Sequence, residues 1–319
     1  MEKSDEYTIG PKIGDGTHAT VYEGAFVASG KIVAVKRINN LDGDGASSTA
    51  LREVAAMQRL DHPHIVKMRG CWFYPTCVDL VFDYYPCTLN EHVAKCRDLR
   101  QTRTLNKRGY VETSLRMMIQ LSAALAYCHA HDIMHRDISA RNVLLDSDCN
   151  AYLADFGAAV TLDRRGLDYN SEYVTLWYRA PEVLLGEIQF DCGIDTWALG
   201  AVFMHIVCMR ALIRCSTIPE QLYKTIEFAG SPHHPDCRWT RGRQLADAVE
   251  MRDPMALPPY PYCGKREVPR VPSGFWQCLD VIHKMMALDP HDRPSCAVAC
   301  QMMVAIAEGH TKQGAAEVK

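Results

Sequence analysis

From Tyr7 to Ile38 the chain runs in short apolar stretches. Thr20–Val27 and Ile32–Ile38 are rich in β-branched residues and interrupted by Gly14, Gly16 and Gly30, a pattern that predicts a small antiparallel sheet. A Gly/Asp/Ser stretch, Asp42 to Ser48, leads into Thr49–Leu60, where Leu51, Val54, Ala55 and Met57 recur among charges at helical spacing, so one helix is expected beside that sheet. Ile65–Phe73 and Val78–Tyr85 read as two further strands, and Tyr84-Tyr85-Pro86 as the link out of this part. Beyond it the pattern turns helical. Glu112–His131 sets Leu115, Met118, Ile119, Leu125 and Ala126 on one face, as a helix packed on a core does. The longest apolar run, Ala198 to Ile213, contains His205 and Arg210 and falls short of the roughly 20 residues a membrane span needs; it reads as a buried helix. Long internal repeats are absent, and the small polar tail from Gly309 is expected to fray. The fold class is α+β, divided at residues 1–85, 86–308 and 309–319.

Composition narrows the classes. With 319 residues, 48% hydrophobic and 23% charged, the chain has material for a large core and not the make-up of a disordered protein. A formal net charge of -3 gives no global basic field, so nucleic acid is not an expected partner. The opening MEKSDEYTIG has no apolar signal core, and the 14 cysteines show no C-x-x-C pair, which fits a reducing compartment. Cys71 with Cys77, and Cys296 with Cys300, lack a typical zinc spacing and read as ordinary thiols.

Three segments carry chemistry. Ile13-Gly14-Asp15-Gly16-Thr17-His18-Ala19-Thr20-Val21 lies between two expected strands, where a glycine-rich turn brings backbone N–H groups close to phosphates; Ala19 in the third glycine position leaves a plain hairpin turn open. Val33-Ala34-Val35-Lys36 follows. A lysine ending an apolar strand can hold phosphates if a carboxylate orients it, and Glu53 on the next helix is the candidate, although such a pair is also compatible with solvated charges. Met134-His135-Arg136-Asp137-Ile138-Ser139-Ala140-Arg141-Asn142, then Ala154-Asp155-Phe156-Gly157 and Ala180-Pro181-Glu182, stand in order. Phosphoryl transfer needs a carboxylate beside the acceptor hydroxyl, which Asp137 supplies, and hard oxygen ligands for Mg²⁺, which Asn142 and Asp155 supply.

In this order the motifs match a protein kinase. Ser48-Thr49-Ala50-Leu51-Arg52-Glu53 resembles the cyclin-contacting helix of cyclin-dependent kinases, and Val174-Thr175-Leu176-Trp177-Tyr178-Arg179-Ala180-Pro181-Glu182 resembles their substrate-binding segment. The likeness runs from Tyr7 to Ala305. It implies a bilobal kinase fold with an ATP-binding antiparallel-sheet N-lobe and a mainly helical C-lobe, ATP and Mg²⁺ as cofactors, a cyclin-like regulatory subunit and protein substrates as partners, no membrane, and a cytoplasmic or nuclear location. It further implies that Ile13, Val21, Ala34 and Leu144 sandwich adenine, that Phe82 closes the back, that Asp83 to Tyr85 offer hinge hydrogen bonds, and that Thr88 stands near the ribose. Asp195 to Gly200 matches the large-lobe helix, and Arg293 is expected to pair with Glu182. Val174 and Arg179 retain residues that suit proline after the acceptor.

The chain departs from the family at several points. Ser139 replaces the usual lysine of Ser/Thr kinases, and Asp137-Ile138-Ser139-Ala140-Arg141-Asn142 resembles the tyrosine-kinase loop, so Arg141 is the candidate substitute cation. His18 replaces an inhibitory tyrosine. Asn170 occupies the activating phosphothreonine position, and Val160 replaces one of three arginines, with Arg52 and Arg136, that would clamp its phosphate; activation without that phosphate is expected. The basic stretch Arg97 to Arg108 reads as a solvated loop or a partner site. The expected function is transfer of the ATP γ-phosphate to Ser/Thr; the alternative is a kinase-fold scaffold with weak or no catalysis.

Overall fold

The computed structural model describes residues 6–16, 19–39, 48–162, 175–189, 191–249 and 271–316. Thr17, His18, residues 40–47, Val174 and the segment holding Asn170 lie outside them. Five strands form the first sheet: β1 (Tyr7–Asp15), β2 (Ala19–Phe26), β3 (Ile32–Asn39), β4 (Met68–Phe73) and β5 (Cys77–Asp83), in the order β1-β2-β3-β5-β4. All pairings are antiparallel. Side chains alternate across a strand, and here the alternation divides the work. Val33, Val35 and Val81 join Tyr7 in a small outer cluster, whereas Ile38, Val78, Leu80 and Phe82 face the main core. Lys36 shares the parity of Ile38 and so points to the inner side.

Helix α1 (Ser48–Met57) packs across that inner side, burying Ala50, Glu53, Val54, Ala56 and Met57. The sequence pattern placed Leu51 and Ala55 on its apolar face; both are exposed, Leu51 by 50%. The charged Glu53 turns inward in their place because a cation meets it there. After α1 the chain reaches the second lobe: Val66 N–H donates to the Leu153 carbonyl at 3.0 Å, and Leu153 N–H to the His64 carbonyl at 2.9 Å.

The remaining elements are mostly helical. Strand β6 (Cys87–Thr88) opens α2 (Leu89–Gln101), which is followed by α3 (Lys107–Ala130), β7 (Ile133–Met134), β8 (Val143–Leu145), β9 (Ala151–Leu153) and β10 (Val160–Thr161). Next come α4 (Pro181–Leu184), α5 (Gly193–Cys208), α6 (Ile218–Ala229), α7 (Thr240–Ala248), α8 (Trp276–Met285) and α9 (Cys296–Ala316). The last of these carries helical backbone past Gly309, where the composition suggests fraying. The basic stretch expected as a loop is instead the end of α2 and the start of α3, joined by Thr102–Asn106. Helix α5 is buried along nearly its whole length, as a helix apolar all round must be. Its Gly200 lets α8 approach, since a Cβ there would stand 2.7 Å from Met286 Cγ.

Candidate active site

Register and helix packing bring three charged side chains together. Lys36 Nζ donates to Glu53 Oε2 at 2.6 Å and to Asp155 Oδ1 at 2.8 Å. Glu53 is 1% exposed and Asp155 45%, so one carboxylate is sealed behind the lysine while the other faces the cleft. Burial acts to neutralise Lys36, but the two carboxylates outweigh it and hold the ammonium charged well above the ordinary lysine range. Burial likewise pushes Asp155 up; Lys36 and the Gly157 N–H together leave its carboxyl below the usual range.

Asp155 has a left-handed backbone, φ 65°, which aims its carboxylate into the cleft while Phe156 turns the other way into the core. Phe156 is fully buried against His135, ring centroids 4.6 Å apart. Gly157 lets the segment meet α1, because a Cβ would lie 2.9 Å from Thr49 Cγ2. Glu53 and Asp155 are thus set by one packed junction.

The catalytic-loop candidates converge on Asp137. Its Oδ1 accepts from Thr175 Oγ1 at 2.7 Å and from Thr175 N at 3.0 Å; its Oδ2 accepts from Asn142 Nδ2 at 2.8 Å. Asn142 Nδ2 also donates to the Asp137 carbonyl at 2.8 Å. The loop hangs on Asp195, buried on α5, which accepts from His135 N and Arg136 N at 2.8 Å each and from His129 Nε2 at 3.0 Å. Burial pushes Asp195 up, yet His129 and the backbone donors outweigh it and keep the carboxyl below its usual range. His135 bonds the Ala154 carbonyl through Nε2 at 3.0 Å and accepts the Asp137 N–H at Nδ1, 3.2 Å, contacts that fit a proton on Nε2.

The residues expected around a nucleotide line one edge-to-hinge strip. Gly14 pairs with Val21, Val21 with Lys36, Ala34 with Phe82, and Thr88 with Leu144. Ile13 is 44% exposed and Val21, Ala34 and Leu144 are half-buried; Gly16 N–H donates to the Ala19 carbonyl at 2.8 Å. Two residues also have other duties. The Asp83 side chain pairs outward with Lys31 and Arg69, and Thr88 caps α2 in a reciprocal capping box with Glu91. Tyr85 packs on Tyr152, centroids 4.5 Å apart.

The donor set fits a hard divalent cation. Asn142 spends its Nδ2 on Asp137, which leaves Oδ1 as an oxygen donor. Asp155 Oδ2 accepts no hydrogen bond among the described residues, and oxygen donors of this kind suit Mg²⁺.

Residues 7–304 match the family model described as protein kinase domain. This chain belongs to the protein kinase family. It is 31% identical over 305 residues to cell division control protein 2 homolog 3 of Trypanosoma brucei brucei, covering 94% of this chain and 92% of the relative. It is also 31% identical to cyclin-dependent kinase 17 of Caenorhabditis elegans, across 93% of this chain and 42% of that protein. A probable serine/threonine-protein kinase of Arabidopsis thaliana is 32% identical, across 93% of this chain and 50% of its own length. The kinase is therefore cyclin-dependent-kinase-like, with a five-stranded N-lobe sheet and a helical C-lobe.

Some functional geometry of this kinase escapes the motifs. Thr175 was legible only as part of a segment; its bonds to Asp137 arise from folding. Asp195 had a usable signal, a lone acid at the start of an apolar helix, since a buried charge needs partners. Ser139 is 1% exposed, whereas Arg141, four residues after Asp137, is exposed to solvent. Val160 pairs with Met134, and Arg136 Nε donates to the Ala158 carbonyl at 2.6 Å.

Proposed function

We propose that this chain is a protein serine/threonine kinase that transfers the ATP γ-phosphate to protein substrates. The observation that carries the reading is a pair of hydrogen-bonded clusters, Lys36 with Glu53 and Asp155 and Asp137 with Asn142 and Thr175, whose segments are joined where Ala154 N–H donates to the Asn142 carbonyl at 2.9 Å. ATP with Mg²⁺ would supply the phosphoryl group and neutralise its charge. Lys36, held by Glu53, would fix the α- and β-phosphates, and Asn142 and Asp155 would hold the metal. Asp137 would orient the acceptor hydroxyl and take its proton; Arg141 would offset negative charge on the transferring group, the work Ser139 cannot do. Ile13, Gly14, Gly16, Val21, Ala34, Phe82, Asp83, Tyr85, Thr88 and Leu144 would hold the nucleotide.

Regulation by a cyclin-like partner belongs to the same reading. Leu51 projects from α1 half exposed, in the stretch that resembles the cyclin-contacting helix, and a partner seated there would hold Glu53 against Lys36. Proline-directed specificity rests on Val174 and Arg179 and a cytoplasmic or nuclear location on the resemblance; no helix among the described residues is long and apolar enough to cross a membrane. The test is phosphotransfer by the chain recovered from native extract with its partner, with and without magnesium. Magnesium-dependent labelling of Ser or Thr that is lost with Asp137→Asn supports the enzyme. Equal labelling by that variant overturns it and leaves a binding scaffold.

A further inference from the structure

Four exposed arginines stand around the turn that follows Thr175: Arg97 on α2, Arg141 beside Asn142, and Arg210 and Arg214 after α5. Arg214 lies over the Trp177 ring, 4.8 Å from its centroid, and Trp177 Nε1 donates to the Cys215 carbonyl at 2.8 Å. The next residue, Tyr178, shares a buried hydrogen bond of 2.9 Å with His205 Nδ1. Burial, followed by the nearby Arg97 charge, pushes His205 down to about 4, so the imidazole is neutral and puts no charge beneath the turn. Arg100 Nη1 reaches Met209 Sδ at 3.9 Å, and Arg100 and Arg210 are both close enough to act on the Cys208 thiol. These contacts tie the end of α2, the end of α5 and the Leu176–Tyr178 turn into one surface, and Thr175 at the head of that turn is bonded to Asp137. The surface therefore adjoins Asp137 through Thr175.

Among the described residues, few acids stand against these arginines. Asp98 lies 3.8 Å from Arg97 Nε and is 70% exposed, a loose solvated contact, and Glu220 Oε2 accepts from Ser216 N at 3.3 Å. Arg214 is pre-ordered on an aromatic face, which reduces the entropy lost when it binds an anion.

The geometry points to a cationic rim, formed by Arg97, Arg210 and Arg214, that selects acceptor segments carrying anionic side chains beside the Ser or Thr. This rests on the kinase reading and names its substrate class. Arginine forks match carboxylate and phosphoryl oxygens alike, and a one-signed rim disfavours basic segments as well as favouring acidic ones.

The test uses the full chain, with whatever partner accompanies it from native extract, ATP, Mg²⁺ and four peptides identical except for flanks of Glu, phosphoserine, Ala or Lys. Expected kcat/KM is about tenfold higher for anionic than for Ala flanks, lower still for Lys, with the gap shrinking at about 0.5 M salt as screening sets in. The Glu and phosphoserine arms separate carboxylate from phosphoryl as the preferred anion. Arg97→Ala with Arg210→Ala should close the gap, and Arg97→Glu with Arg210→Glu should invert it. Equal or better transfer to the Lys peptide overturns the rim and leaves the kinase reading intact. If no peptide is phosphorylated, the kinase reading fails, and anisotropy binding of the same peptides decides: tighter Glu or phosphoserine binding upholds the rim, equal binding ends it.

Discussion

Arg293 and Lys36 are both cations held by carboxylates out of bulk water, and they differ in how many of their N–H groups are used. Arg293 is almost wholly buried and donates through Nη1 to Glu182 Oε1 at 2.6 Å and the Gly193 carbonyl at 2.9 Å, through Nη2 to Glu182 Oε2 at 2.8 Å and the Leu288 carbonyl at 3.2 Å, and through Nε to the Ala287 carbonyl at 2.8 Å. Every guanidinium donor is spent. Lys36 gives two hydrogen bonds to carboxylates, and its third N–H has no acceptor among the described residues. Saturation makes the first pair a joint between α4, α5 and the turn before α9. The unspent donor and the half-exposed Asp155 leave the second pair open on one side.

The largest expected effect breaks the saturated side. Arg293→Ala leaves Glu182 buried without its partner and should cost about 3–5 kcal/mol, read as a lower urea midpoint at unchanged slope. On the open side the contrast should reverse. Asp137→Asn or Asp155→Asn should cut phosphotransfer about a hundredfold while the unfolding midpoint moves little; a collapse of the fold would show that the cleft carboxylates are structural after all.

A smaller effect is expected at Arg141. Arg141→Ala should lower kcat about tenfold, less than the hundredfold or more for a buried preorganised donor because this arginine is exposed, with KM for ATP little changed. Ser139→Lys in that background should restore part of the rate, its long stem carrying the ammonium out of the buried position. Unchanged kcat in Arg141→Ala would remove the arginine from the chemistry.

The smallest effect concerns the support beneath the loop. Asp195 and its hydrogen bond hold the His129 pKa well above the ordinary value despite burial. A raised folded pKa gives stability that is complete below the unfolded value of about 6.5 and is lost as pH rises through the folded one, each unit contributing about 1.4 kcal/mol. Unfolding free energy should therefore decline above neutrality, and His129→Gln should flatten that decline. An identical alkaline slope in the variant would assign it to other groups.

The motifs around Lys36, Asp137 and Asp155 were legible because phosphoryl transfer demands particular residue types in a particular order, and the strand and helix periods located the elements that carry them. The sheet, the helix beside it and the helical second lobe followed from the same periodicity, since burial of apolar faces is a local property of the pattern. Which face of α1 turns inward was not local: Leu51 is more apolar than Glu53, and only Lys36, brought by the β2–β3–β5 register, makes the acid the buried residue. The fate of the Arg97–Arg108 stretch was likewise unreadable, because charge alone does not distinguish a loop from exposed helix ends. Thr175 on Asp137 and Asp195 beneath the catalytic loop join residues 38 and 60 positions apart. Such contacts depend on how α5 and the Leu176–Tyr178 turn pack around the loop, so the sequence by itself determined which groups were available, and the tertiary structure decided which of them meet.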